Sequence, residues 1–284
     1  MASAFNRIKN CPGSLFLEKA IDPKLIHKSY SEKAAFGSMC HTVAENVLLE
    51  KGTVVQNLKT VGFIKGSEIY DKAKFTVNEY VKYIRKIMKK SGIYYIEGKD
   101  KFTYKKITWV AKSDFRSVRY DSGTGGYIVD IADLKTCSWD YSESGGDQLY
   151  FTALLHCYKI ILNYPVKIRT HIVQPNFYGP KFVTQEMVFD SREDVLMQMN
   201  MIVKHIQTEK YASGSHCTFC PALLQCPHAK QIQTTTNALI QEQGYNLENL
   251  TPERLEEIYS KKDLIMSFYR SLEGLKLIIK SFLL

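Results

Sequence analysis

A chain of 284 residues with 45% hydrophobic content is long enough to bury one large core, alone or with a small appendage, which marks a globular chain. Its net charge of +9 and pI near 9.0 point to a polyanionic partner, nucleic acid being the natural one. The absence of a run of about eighteen apolar residues excludes a membrane-spanning helix in the sequence and predicts no membrane partner. Seven cysteines, an odd number, in a chain whose first residues (MASAFNR) lack the apolar core of a signal peptide argue against a disulfide framework. Reduced thiols and a cytoplasmic location are expected, some of the thiols binding metal.

Residues 3–14 read as a short helix stopped by Pro12 and Gly13. From Phe36 to Glu50, Val43, Val47 and Leu48 form an apolar stripe, and His41 and Glu45 share one helical face four residues apart. Glu68 to Lys90 reads as a basic amphipathic helix or helical pair, suited to flank a DNA channel or to face solvent.

The stretch from Ile107 to Thr136 has two alternating arms, ITWVAKSDFRSV and GYIVDIADLKT, around Gly123, Gly125 and Gly126, the pattern of an antiparallel hairpin. A turn centred between Gly123 and Thr124 sets Asp114 opposite Asp133, with Cβ atoms about 5 Å apart on one face. Lys135, two residues beyond Asp133, shares that face, whereas Asp130 takes the other. Two carboxylates at this spacing call for a cation between them. Hard oxygen donors suit Mg²⁺ or Mn²⁺, and a neighbouring lysine can orient or deprotonate a water.

Beyond a linker, a helix is predicted over about 147–162 with Gln148 in its first turn. Residues 166–174 and 182–189 alternate as a second hairpin, and Asp190 or Ser191 caps a helix running to about Lys210. Cys217, Cys220 and Cys226 follow as C-x2-C-x5-C, a spacing in which two thiolates hold a metal from one tight knuckle and the third returns a turn later. His216 or His228 would complete a local zinc site. Residues 231–284 read as helices, opened by Thr251 as cap and Pro252 in the first turn. No phosphate-binding P-loop and no G-x-S-x-G elbow occurs, and the glycines at 123–126 precede no helix.

Ser113-Asp114 on one strand and Asp133-Leu134-Lys135-Thr136 on the next resemble the core motifs of the PD-(D/E)XK nucleases, in the form used by the RecB and AddB exonuclease branch. Gly37, His41 and Glu45 resemble the first motif of that branch. Gln148 matches its "QxxxY" motif, with Thr152 where the tyrosine would stand. Val173-Gln174-Pro175 resembles a strand end in phage-borne relatives. The resemblance covers roughly Ser3 to His228 and implies a restriction-endonuclease-like α/β fold: a mixed central sheet flanked by helices, with a helical C-terminal extension. It divides the chain into a nuclease domain over 1–230, closed by a four-cysteine metal site, and an extension over 231–284. It further implies that Asp114, Asp133, the carbonyl of Leu134 and His41 hold Mg²⁺ or Mn²⁺, that Lys135 positions water, and that Gln148 approaches the substrate phosphate. Cys11, Cys217, Cys220 and Cys226 would hold a [4Fe-4S] cluster, with Zn²⁺ on Cys217, Cys220, Cys226 and His228 as the alternative.

The activity so implied is hydrolysis of phosphodiester bonds at DNA ends, in phage DNA replication or recombination, with a helicase or recombination partner and, for a phage-encoded chain, a location in the host cytoplasm. Two other readings stand beside it: a catalytically inactive DNA-binding or scaffold protein of the same fold, and a zinc-stabilised protein adaptor.

Overall fold

The computed structural model describes residues 5–21, 32–136, 142–160, 164–176, 179–189, 191–208, 210–214, 216–217 and 220–231, with Thr234, Thr251, Glu253, Glu256 and Tyr259. The predicted C-terminal helices and Cys137 therefore lie almost wholly outside the described residues. The chain divides into two compact units, one made of Met1–Phe5 and Tyr30–Met201, the other of Asn6–Ser29 and Ile202–Leu284.

In the first unit three helices lead into a sheet: α3 (Glu32–Leu48), α4 (Val54–Thr60) and α5 (Glu68–Met88). Thr53 and Gln56 form a reciprocal capping box at the start of α4. Ser67 caps α5 by accepting from the Tyr70 N–H, and Glu68 and Asp71 in the first turn and Arg85 and Lys86 in the last complement the helix dipole. The buried apolar residues of α5, Tyr70, Ala73, Val77, Tyr80, Val81 and Ile84, recur at helical spacing and make one stripe, with Thr76 buried among them.

The sheet has the order β1 (Ile93–Tyr104), β2 (Ile107–Asp121), β3 (Gly126–Leu134), β4 (Val166–Asn176), β5 (Gly179–Phe189). All pairs are antiparallel except β3 and β4, and α6 (Ser142–Ile160) provides the crossover that a parallel pair requires. The expected mixed sheet flanked by helices is the observed architecture. Strand β1 is the element that the sequence pattern does not announce: its lysines and Gly98 hide the alternation.

The β2–β3 register is the predicted one, running from Phe115 opposite Ala132 to Asp121 opposite Gly126. Asp121 organises the turn, its carboxylate accepting from the Gly123 N–H and the Thr124 hydroxyl. Gly126 is required by a close approach: a Cβ there would sit 2.4 Å from the Pro165 carbonyl oxygen, which the Tyr127 N–H holds in place at 2.8 Å. Gly126→Ala is thus expected to force the β3–β4 entry apart and to cost about 2–3 kcal/mol, read as a lower urea midpoint at unchanged slope.

Strand β3 is buried almost throughout because helices cover both faces. Ala132 and Leu134 join Phe115, Val173 and the inner residues of α3 and α5 in one apolar cluster. On the other face α6 packs on β2, β3 and β4, with Phe151 edge-on to Trp109 at 4.8 Å. His156 Nδ1 lies 2.6 Å from the Asp100 carboxylate, which also pairs with Arg116.

A polar chain crosses the α5 side of the sheet: Tyr83 Oη meets His171 Nδ1 at 2.8 Å, His171 Nε2 meets Asp130 Oδ1 at 3.0 Å, and Arg119 donates to Asp130 Oδ2 at 2.7 Å. Burial alone would raise the Asp130 pKa, but the His171 hydrogen bond and the nearby positive charges outweigh it and hold the carboxyl below its usual range. A depressed carboxyl pKa contributes stability that is present above the unfolded value, about 4, and lost as pH falls through the folded one. Asp130→Asn should therefore flatten the acid limb of a stability-against-pH curve and cost about 3 kcal/mol at neutral pH, measurable by urea titration.

In the second unit α1 (Phe5–Asn10) and α2 (Gly13–Ala20) follow each other. The first helix ends at Asn10, just before Pro12 and Gly13 as expected, and the same two residues start α2: Pro12 sits at its N-cap with φ −56°. Arg7 ties the two helices by donating to Ser14 Oγ at 2.9 Å and pairing with Glu18 at 2.5 Å. The Gly13 N–H donates to the Lys210 carbonyl at 2.8 Å, just beyond α7 (Arg192–Ile206), which Ser191 and Asp194 cap reciprocally.

Candidate metal centre

The β2–β3 ladder stops one pair short of Asp114 and Asp133. Instead of a ladder bond, the Leu134 N–H donates to Asp114 Oδ2 at 2.7 Å, so the carboxylate itself holds the strands together where they part. His41, from α3, brings Nδ1 to 3.2 Å from Asp114 Oδ2. Glu97, from β1, brings Oε1 to 3.9 Å from the same nitrogen. One donor atom each from His41, Glu97 and Asp114 lies within 4.8 Å of the others, a spacing that a single cation can span.

Two lysines border this group. Lys135 Nζ lies 2.6 Å from Asp133 Oδ2, and Lys112 Nζ lies 2.6 Å from Glu97 Oε2. The Glu97 hydrogen bond and the surrounding carboxylates, Glu45 among them, raise the Lys112 pKa. Burial, and then the charge of Asp133, push the Asp114 carboxyl above its usual range against the opposing effect of His41 and Leu134. Burial disfavours the His41 imidazolium, but its hydrogen bond to Asp114 and the three carboxylates prevail and raise its pKa. Hard, crowded and partly buried oxygen donors with one imidazole fit Mg²⁺ or Mn²⁺, whose charge would relieve the repulsion.

The structure thus brings together His41, Asp114, Asp133, Lys135 and the backbone of Leu134. Gln148 is half-exposed on α6, and among the described residues no side-chain hydrogen bond joins it to the carboxylates. Thr152, at the place of the expected tyrosine, is buried and donates to the Gln148 carbonyl at 2.9 Å. Glu97 is the member that sequence reasoning missed. It stands directly across from Asp114 at a break in the β1–β2 pairing, with φ +51° in the left-handed region. A non-glycine residue there is strained, as are Glu50, Lys105 and Lys106 at their turns. Its trace in the sequence is slight: an acid between Ile96 and Gly98.

The second group lies within the other unit. Cys217, Cys220 and Cys226 pack with Leu223 and Ala229 around the short 3₁₀ turn Leu223–Gln225. Cys11 joins them through His216, whose imidazole hydrogen-bonds both Cys11 and Cys217, contacts that raise its pKa to about 10. Burial would raise the Cys11 pKa, but hydrogen bonds from His216 and the backbone, with the imidazole charge, lower it. Burial pushes Cys220 up to about 11. Thiols and an imidazole are soft donors of the kind that zinc or an iron-sulfur cluster takes, but among the described residues no three of these donor atoms lie within 4.8 Å of one another, as those of His41, Glu97 and Asp114 do. The imidazole against the thiols is that of His216, while His228 acts on Cys226 through its backbone. Cys40, raised to about 12, and Cys157 are buried in the other unit as apolar thiols.

Residues 124–277, more than half of the chain, match the family model described as "Protein of unknown function (DUF2800)". The chain belongs to the DUF2800 family. In this DUF2800 chain the matched stretch holds Asp133, Lys135, Gln148 and the three clustered cysteines, while Cys11, His41, Glu97 and Asp114 precede it. A search of curated proteins finds no match. Among solved structures, one titled "Crystal structure of SSO0001" matches at 13% identity over 76% of this chain and 96% of that one, with a TM-score of 0.29, too slight a likeness to carry inference. Among the described residues no helix is long and apolar enough to cross a membrane.

Proposed function

We propose that the chain is a divalent-cation-dependent deoxyribonuclease that hydrolyses phosphodiester bonds at DNA ends, in phage DNA replication or recombination. The observation that carries this reading is the convergence of His41, Glu97 and Asp114 beside the Asp133–Lys135 ion pair, where the central hairpin parts. Asp114, Glu97 and His41 would hold the cation, with Asp133 and the Leu134 carbonyl as further donors.

A bound Mg²⁺ or Mn²⁺ supplies charge for the scissile phosphate and acidity for a water. The chain's own residues do the rest. Lys135 orients the attacking water, and its charge assists in stabilising the phosphate as negative charge grows. Asp133 keeps Lys135 in place through the 2.6 Å ion pair. Gln148 contacts the substrate backbone. The +9 net charge supports binding of a polyanion. In the same reading Cys11, Cys217, Cys220 and Cys226 hold a structural [4Fe-4S] cluster, with zinc on the cysteines and a histidine as the alternative.

The test is digestion of end-labelled linear and closed circular DNA by anaerobically purified protein with Mg²⁺ or Mn²⁺. Linear DNA is expected to be degraded and circles to persist. Salt-sensitive DNA binding without digestion, in protein whose cysteine-bound metal is intact, would replace this reading with that of an inactive DNA-binding protein.

A further inference from the structure

Tyr80 stands in the inner stripe of α5 with 1% of its surface exposed. Its ring packs in the apolar cluster with Phe115 and Leu134, the residues that directly follow Asp114 and Asp133. The ring is satisfied there; the hydroxyl is not. Tyr80 Oη is buried and has no hydrogen-bond partner among the described residues. Phenylalanine would fill this position without that loss, because a buried hydroxyl that makes no bond forfeits those it had in water.

The groups whose charges bear on the hydroxyl are Asp114, Asp133 and Glu97. A phenol, whose ordinary pKa is about 10, carries its proton at neutral pH. An O–H that keeps its proton beside carboxylates is suited to bridge to them through water, donating to the water or to a carboxylate oxygen and accepting in return.

We propose that Tyr80 is a positioning residue of the acidic centre, its buried hydroxyl, without a hydrogen-bond partner among the described residues, orienting a water beside the carboxylates of Asp114, Asp133 and Glu97. The inference rests on the divalent-cation reading of the site and adds to it a residue from a helix that contributes no ligand. Tyr83 offers the internal comparison. One turn further along α5, its hydroxyl is already engaged by His171 at 2.8 Å, in the chain that ends on Asp130.

The experiment compares Tyr80→Phe and Tyr83→Phe with the wild-type protein by three measurements: thermal unfolding without cation, calorimetric titration with Mn²⁺, and digestion of linear DNA. Tyr80→Phe is expected to melt no lower than wild type, to bind Mn²⁺ about tenfold more weakly, and to show a similar fall in kcat with KM for DNA unchanged. Tyr83→Phe is expected to melt lower and to bind Mn²⁺ like wild type. Wild-type Mn²⁺ affinity in Tyr80→Phe, or a lower melting temperature with that affinity intact, overturns the assignment and leaves the cation site standing. A wild-type protein that binds no Mn²⁺ overturns the cation reading and this inference together.

Discussion

Asp133→Ala is expected to lower Mg²⁺-dependent digestion of linear DNA by about 10³-fold or more, equivalent to about 4 kcal/mol on the barrier, without lowering the melting temperature of the cation-free protein. The two halves of this result have one cause. Asp133 is 8% exposed beside an equally buried Asp114, and its charge helps push the Asp114 carboxyl above its usual range. A raised carboxyl pKa means that folding favours the protonated form, so an ionised Asp114 at neutral pH is a cost that eases as pH falls. Removing Asp133 lessens that cost, offset in part by loss of the Lys135 ion pair. Lys135→Ala should lose digestion to a similar degree while still binding Mn²⁺, since the lysine is no ligand. Asp133→Ala that digests DNA normally, or that loses activity only because it no longer folds, would remove the acidic centre from the mechanism.

The second large effect is expected at the cysteines. If the cysteines hold the metal proposed for them, Cys217→Ser is expected to abolish the metal content of the purified protein and unfold the unit formed by Asn6–Ser29 and Ile202–Leu284, while fragments of Tyr30–Met201 survive limited proteolysis. The cysteine-bearing loop has little apolar burial of its own, Leu223 and Ala229 beside the thiols. Where a small core is insufficient, site free energies of roughly 10 kcal/mol in small zinc domains make metal binding equivalent to folding. Cys40→Ala, a buried thiol of the other unit, should keep the metal. Elemental analysis and the visible absorption of anaerobic protein decide between iron-sulfur and zinc. A metal-free wild type as stable as the metal-bound one would refute the structural role.

Much of the acidic centre was legible because the hairpin that carries it is local. Alternation along both arms and the glycines of the turn specify a register, and the register alone puts Asp114 across from Asp133 and Lys135 on the same face. The spacing of Cys217, Cys220 and Cys226 was legible for the same reason: a knuckle is a property of a few consecutive residues.

What the sequence by itself determined is this short-range chemistry, together with the basic charge and the helix–sheet composition. Only the tertiary structure decided that β3 and β4 run parallel, since alternation reads the same in either direction. It also decided that a strand outside the hairpin delivers Glu97 through a left-handed backbone step, and that His216 rather than His228 sets its imidazole against the thiols. Tyr80 belongs with these: at helical spacing it is one more apolar residue of α5, and only the packing of that helix on the sheet buries its hydroxyl without a hydrogen-bond partner among the described residues. Each is a contact between residues far apart in the chain, settled by the packing of whole elements rather than by the pattern within any one of them.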